Sequence, residues 1–269
     1  MSTAYSLAHL TVLSLAPPQM VDVAARAGYD CVGLRLLPAL PGGAAYPLMH
    51  DPAALRETRA RCGDAGIGVF DLEIVRLDAA FDVRQYQAFL ETGAELGARA
   101  VLVAADDRDQ ARLADSYAAF CAAALPFGLS ADLEFMPWTA VKDLNSAVQV
   151  IRAAGDPVNA GILVDALHFG RSSSTLDQLR SLPRRWLHYA QVCDAPAGMP
   201  ATDAELIHTA RSERLLAGEG GLELGQMLRA LPRDLPLSIE IPNDGRGAAL
   251  GPLEWARQAL AAARGLTND

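Results

Sequence analysis

Asp132-Leu133-Glu134-Phe135-Met136-Pro137-Trp138 sets a carboxylate inside an apolar run that proline closes. A carboxylate there is costly to bury unless something, most cheaply a cation, pairs with it, and proline cannot continue a central strand. The stretch reads as a strand that carries charge near its end. Three later runs repeat the arrangement: Ile162-Leu163-Val164-Asp165, Tyr189-Ala190-Gln191 and Leu237-Ser238-Ile239-Glu240 each place one oxygen-bearing side chain at or near the end of β-branched or aromatic residues, with loop residues following.

Working outward, short apolar runs alternate with longer helical patterns along the whole chain. Strands are predicted at Ala8 to Leu15, Cys31 to Leu37, Gly66 to Leu77 and Ala100 to Ala104 before the opening stretch, then at Ala160 to Val164, Trp186 to Val192 and Leu235 to Ile241 after it. Helices fall between them. Pro17-Pro18 and Gly28 bracket one, and others read as Ala53 to Gly63, Val83 to Leu96 and Gln110 to Leu125. Thr139 reads as the N-cap of a helix running to Ala154, with further helices at Thr175 to Leu182, Leu222 to Leu231 and Pro252 to Arg264. The segment from Cys193 to Gly221 is long for a connection and holds a helical pattern at Asp203 to Arg211.

Near-continuous apolar strands imply burial on both faces and a parallel sheet. Eight strand-helix units in 269 residues favour an α/β fold of the closed (β/α)₈ TIM barrel type, a single domain over residues 1–269. No GxGxxG follows the first strand, which counts against a dinucleotide-binding sheet.

Composition narrows the function classes. Apolar content of 51% and charged content of 20% argue against disorder. The formal net charge is −9 and Lys142 is the only lysine, so no basic stripe exists to track phosphates, and nucleic acid is not an expected partner. No apolar run reaches spanning length and no secretory leader is legible, so membrane association is not expected and the expected location is cytoplasmic. Cys31, Cys62, Cys121 and Cys193 are widely spaced and read as isolated thiols.

Residues at the C-terminal ends of barrel strands face the active-site mouth. Glu134, Asp165, Gln191 and Glu240 would then lie side by side around half the rim, and three carboxylates there repel unless a cation neutralises them. All four offer oxygen, which favours Mg²⁺ or Mn²⁺ ahead of Co²⁺ or Zn²⁺. His168, three residues past Asp165, reads as a substrate-facing loop group. Trp138 and Phe169 would give an apolar wall against a ring, or cap the barrel. Asp194 is placed to hold groups behind the ligands, and strand alternation turns His188 away from Gln191 into packing.

The stretches Leu133-Glu134, Val164-Asp165-Ala166-Leu167-His168, Gln191-Val192-Cys193-Asp194-Ala195-Pro196, Leu216-Ala217-Gly218-Glu219-Gly220 and Ser238-Ile239-Glu240-Ile241-Pro242-Asn243-Asp244 resemble the xylose isomerase-like TIM barrels. That group includes sugar and sugar-phosphate isomerases and epimerases, inosose dehydratases and 3-dehydroshikimate dehydratases. The resemblance implies roles in substrate binding for Arg76, with Glu73 beside it at the end of its strand, and for Arg214, and it implies association into homo-oligomers. Gln191 stands where sugar epimerases commonly have histidine, and Gln191 followed by Asp194-Ala195-Pro196 looks more like the 3-dehydroshikimate dehydratases.

The chemistry expected of such a site is proton removal next to a carbonyl, with a divalent ion stabilising the enediolate and Glu134 and Glu240 as catalytic bases. The leading expectation is a metal-dependent isomerase or epimerase acting on a small polyhydroxylated carbonyl compound, a sugar or sugar phosphate. The rival is a lyase of the dehydroshikimate or inosose type. An abasic-site endonuclease would need a histidine-rich multi-zinc site and a basic groove, and a non-catalytic barrel would retain costly carboxylates to no end.

Overall fold

The computed structural model describes residues 3–267. The terminal residues 1–2 and 268–269, also assigned to the domain from the sequence, lie outside the described residues. Eight parallel strands close into a barrel in chain order: β1 Tyr5–Leu7, β2 Cys31–Arg35, β3 Gly68–Leu77, β4 Ala100–Ala105, β5 Ser130–Glu134, β6 Ala160–Asp165, β7 Ala190–Val192 and β8 Leu237–Ile239. Closure comes from β1 pairing with β8, where Ser6 lies opposite Ser238. Helices surround it: α1 Pro17–Ala27, α2 Pro52–Ala65, α3 Gln87–Leu96, α4 Gln110–Ala124, α5 Leu144–Ala153, α6 Ala166–Gly170, α7 Leu176–Arg180, α8 Asp203–Ser212, α9 Leu224–Ala230, α10 Asp244–Leu250 and α11 Pro252–Thr267.

Side-chain alternation sorts each strand between two cores. On β4, Val101, Val103 and Ala105 join the large apolar layer under the helices, while Ala100, Leu102 and Ala104 fill the barrel interior with Phe70, Ile74, Leu163 and Tyr189. The same period sends Ala131 and Leu133 outward on β5 and leaves Asp132 and Glu134 inward. On β6 it sends Ile162 and Val164 outward, leaving Asp165 inward, and Ala190, Val192 and Ile239 likewise take the outer layer. Gln191 and Glu240 follow inward.

Several expected boundaries differ. The first strand is Tyr5–Leu7, and His9–Val12 form a 3₁₀ turn with the His9 ring held between the Arg35 N–H and the Leu15 carbonyl. β5 ends at Glu134, three residues before Pro137, so Phe135 and Met136 belong to the loop. Thr139 caps nothing: its hydroxyl donates to the carbonyls of Met136 and Val141, and Asp143 caps α5 through the Ser146 N–H at 2.8 Å. Trp186 belongs to a 3₁₀ turn outside β7. Helices α6 and α10, absent from the sequence reading, are short turns capped by Asp165 and Asn243.

All four cysteines are free. Among the described residues no helix is long and apolar enough to cross a membrane.

Candidate active site

At the C-terminal end of the barrel, β5, β6, β7 and β8 bring Glu134, Asp165, Gln191 and Glu240 inward, each at most 4% exposed. Glu134, Asp165 and His168 offer one ligand atom apiece within 4.8 Å of one another. His168 lies in the first turn of α6, where the Asp165 side chain accepts its backbone N–H at 3.0 Å. Its Nε2 lies 3.5 Å from a Glu134 oxygen, and its ring meets Trp138 edge-on at 5.0 Å. The sequence reads His168 as a substrate-facing loop residue, and α6 turns it back beneath the rim at 2% exposure.

Arg214 crosses the floor of the site. Its guanidinium pairs with Asp165 at 2.6 Å and with Glu240 at 2.9 Å, and its Nε donates to the Ala210 carbonyl. It is a buried bridge between two of the expected ligands, at 2% exposure.

Protonation follows this pairing. Burial pushes the Glu134 carboxyl well above the usual carboxylate range, and Asp165 and Glu240 add to the shift. Glu240 is raised to about 7 by burial, with Arg214 opposing. Burial works on Asp165 too, but Arg214 and the hydrogen bonds it accepts hold it below its ordinary value. Burial lowers His168 to about 4, so its ring is neutral near pH 7.

The donor set fits a divalent ion. Neither amide atom of Gln191 has a hydrogen-bond partner among the described residues although both are buried, and His168 Nδ1 is likewise unpartnered. An orphaned amide at the centre of a carboxylate group is what an oxygen ligand leaves behind. Glu134, Asp165 and His168 form the compact part of that set, with Gln191 beside Asp165 in the β6–β7 register. Glu240 is outside the compact cluster and is held by Arg214. An imidazole among the donors also admits borderline metals such as zinc.

Above the floor opens a cavity of about 240 Å³. Its lining includes Glu134, His168, Arg214 and Glu240, the apolar faces of Trp138 and Met136, and Arg35, Arg76 and Arg211. Arg76 pairs with Asp106 and donates to the Ala39 carbonyl at 2.6 Å. Glu73 does not reach the cavity: Arg35 takes its carboxylate at 2.6 Å, and Arg35 is the lining residue. Phe169 lies on the helix side, packed against the outer layer.

Arg35 and Arg211 were not singled out in the sequence. Arg35 ends β2, the position that flagged Glu134, and Arg211 precedes Arg214 by one helical turn, so both left a weak trace.

Asp194 sits behind the site and ties down the loop that follows α8. Its carboxylate accepts the N–H groups of Ala195 at 2.8 Å, Gly218 and Gly220 at 3.0 Å and Leu222 at 3.1 Å. Gly218 has φ +89°, a left-handed conformation that suits glycine. His188 is not apolar packing. It precedes β7, so strand alternation does not govern it, and its Nδ1 lies 2.7 Å from Asp132. Gly161 leaves the space for that pair, which a Cβ would overlap.

A family model described as xylose isomerase-like TIM barrel matches residues 21–266. The chain belongs to this family. A search of curated proteins by sequence finds no match. Solved structures of xylose isomerase-like barrels superpose along nearly the whole chain. An IolI protein with a bound zinc atom gives a TM-score of 0.82 at 17% identity, covering 99% of this chain and 98% of that one. The probable 3-DHS dehydratase AsbF from Bacillus anthracis gives 0.75 at 13% identity, covering 97% and 99%. A D-allulose 3-epimerase from Methylomonas sp., in complex with D-allulose, gives 0.70 at 15% identity, covering 98% and 97%. At these identities the likeness to the xylose isomerase-like structures is one of fold. The family spans isomerases, epimerases and dehydratases.

Proposed function

We propose that the protein is a divalent-metal-dependent isomerase or epimerase that moves a proton next to the carbonyl of a small polyhydroxylated compound. The observation that carries this reading is the cavity floor, where buried Glu134 and Glu240 face one small space beside an unpartnered Gln191 amide. Glu134, Asp165 and Gln191, with His168 or Glu240, would hold the ion. When bound, it would supply Lewis-acid stabilisation for negative charge developing on substrate oxygens.

The chain's own groups do the rest. Glu134 and Glu240 reach the cavity from β5 and β8, so one can take a proton from a substrate carbon while the other returns it from another side. Burial keeps their proton affinity high enough for such exchange near neutrality. Arg214 fixes the Glu240 carboxylate and limits the repulsion across the floor. Trp138 and Met136 wall the cavity and exclude water from the reacting carbon. A small-molecule substrate, a cytoplasmic location and self-association complete the reading.

The dehydratase reading keeps the same floor and differs in one step, with one group protonating a departing hydroxyl. His168 favours it: a neutral imidazole whose Nε2 lies 3.5 Å from Glu134 could pass on such a proton.

The test is direct. Metal-loaded protein incubated with candidate carbonyl compounds in D₂O should incorporate deuterium at the carbon next to the carbonyl, and Glu134→Gln or Glu240→Gln should cut the rate at least about 100-fold. Aromatic absorbance growing from 3-dehydroshikimate would select the lyase instead. Equal bound Mn²⁺ in wild type and Glu134→Gln would remove the metal from the reading.

A further inference from the structure

We propose that Arg211 forms an oxyanion subsite at the cavity mouth, so that the substrate carries a carboxylate or phosphate in addition to the carbonyl that meets the floor. The inference builds on the proton-transfer reading above and names the substrate class for it.

Four arginines line the cavity, and three are engaged. Arg214 is bound to Asp165 and Glu240, Arg35 to Glu73, and Arg76 to Asp106. Arg211 has no hydrogen bond or ion pair among the described residues, yet it is half-buried and lines the same cavity. Burial and the neighbouring guanidinium groups of Arg76 and Arg35 all work against its charge. The opposing charge, Asp106, is already paired with Arg76, and a guanidinium keeps its proton in a protein, so an arriving anion would offset the cost.

Its place in the last turn of α8 favours a cation only slightly, and a solvent-facing side chain would share that benefit. Arg211 lies in the last turn of α8, and Arg214 follows beyond the helix end, where its Nε returns to the Ala210 carbonyl. One segment thus sends one arginine to the floor and keeps the next at the mouth.

The walls agree with an anionic substrate. Leu10, Leu13, Ile74, Leu102, Met136 and Trp138 give the cavity an apolar share of its lining. A polyhydroxylated substrate would turn its less hydroxylated face to that surface and present one oxyanion to the planar guanidinium fork. The volume of about 240 Å³ is below the range of drug-sized ligand sites, which begins near 300 Å³, and suits a small metabolite.

The experiment compares charged and neutral partners of one shape. Glucuronate and glucose 6-phosphate would be titrated against glucose, and quinate against myo-inositol, by calorimetry on the wild-type protein and on Arg211→Gln and Arg211→Lys, with and without Mn²⁺. The expected result is an anion bound at least about tenfold more tightly than its neutral counterpart. That preference should be lost in Arg211→Gln and partly kept in Arg211→Lys. Carboxylate or phosphate as the source of the charge follows from which series binds. An anion bound no better than its neutral partner, or a preference that survives Arg211→Gln, would overturn the proposal. Mn²⁺ affinity, read separately by electron paramagnetic resonance, should be the same in Arg211→Gln and wild type. Absent Mn²⁺ binding with an intact Arg211-dependent preference would sink the metal reading and leave the subsite standing.

Discussion

Asp71 shows how far a single residue can depart from what its type prefers. It points into the barrel at 0% exposure with no hydrogen-bond partner for either oxygen among the described residues, and a Cβ at Gly33 would collide with it. Burial, aided by Glu73, Glu240 and Asp132, raises its carboxyl well above the ordinary value. The sign follows from linkage: the folded state holds the proton more tightly than the unfolded chain. The contribution to stability is complete below the unfolded value near 4 and is lost as pH rises toward the folded value. Asp71→Asn, which cannot ionise, should therefore be more stable than wild type in urea melts at about pH 8, and the difference should shrink by about pH 5. A variant no more stable at the higher pH would show that Asp71 carries its charge inside the barrel. Along the sequence nothing singles this residue out. The bulge that turns both Phe70 and Asp71 inward arises from pairing between β2 and β3, which shifts at Val32/Gly33, and local pattern does not reveal it.

At the scale of elements, the long segment between β7 and β8 builds one side of the cavity. It delivers Arg211 and Arg214 from the end of α8 and returns through a loop whose amides converge on Asp194. Replacing that carboxylate strips four N–H groups of their acceptor at once, at a cost of up to about 1–3 kcal/mol for each that water cannot reach. Asp194→Ala should accelerate hydrogen exchange at Gly218, Gly220 and Leu222 by at least about tenfold while amides of β4 and β5 keep their protection. Uniform acceleration across the barrel would mean that Asp194 supports the whole fold and not this loop. The helix Asp203 to Arg211 was legible as a helical pattern inside a long connection. The direction of Arg214 was not, because its partners Asp165 and Glu240 are far away in sequence and meet it only after the barrel closes.

For the molecule as a whole, the concentration of buried carboxylate at one end of the barrel makes the native state responsive to cations. An ion that binds the folded chain alone stabilises it by about 2.7 kcal/mol at a hundredfold excess over Kd, which for a domain of this size raises Tm by about 5–10 °C. Mn²⁺ should produce such a rise, EDTA should reverse it, and Glu134→Gln should abolish it. Arg214→Met removes the cation already present between Asp165 and Glu240. It should cost about 3–5 kcal/mol without metal and recover part of that loss with Mn²⁺. An equal Tm rise in Glu134→Gln would move the ion elsewhere on the surface.

The sequence by itself determined the alternation of eight strands and their helices, and with it the barrel. Periodic apolar runs and glycine or proline punctuation are local properties, and the same period of two put Glu134, Asp165, Gln191 and Glu240 on the inner face. Tertiary structure decided what those groups meet. Asp132-Leu133-Glu134 turned out to end its strand at Glu134, with His168 folded back against that carboxylate by a helix of five residues. Arg214 neutralises two of the carboxylates, Arg35 withdraws Glu73, and Arg211 is left free among the described residues because its neighbours are taken. Partnership between charges depends on distances across the closed barrel, and no spacing along the chain encodes those distances.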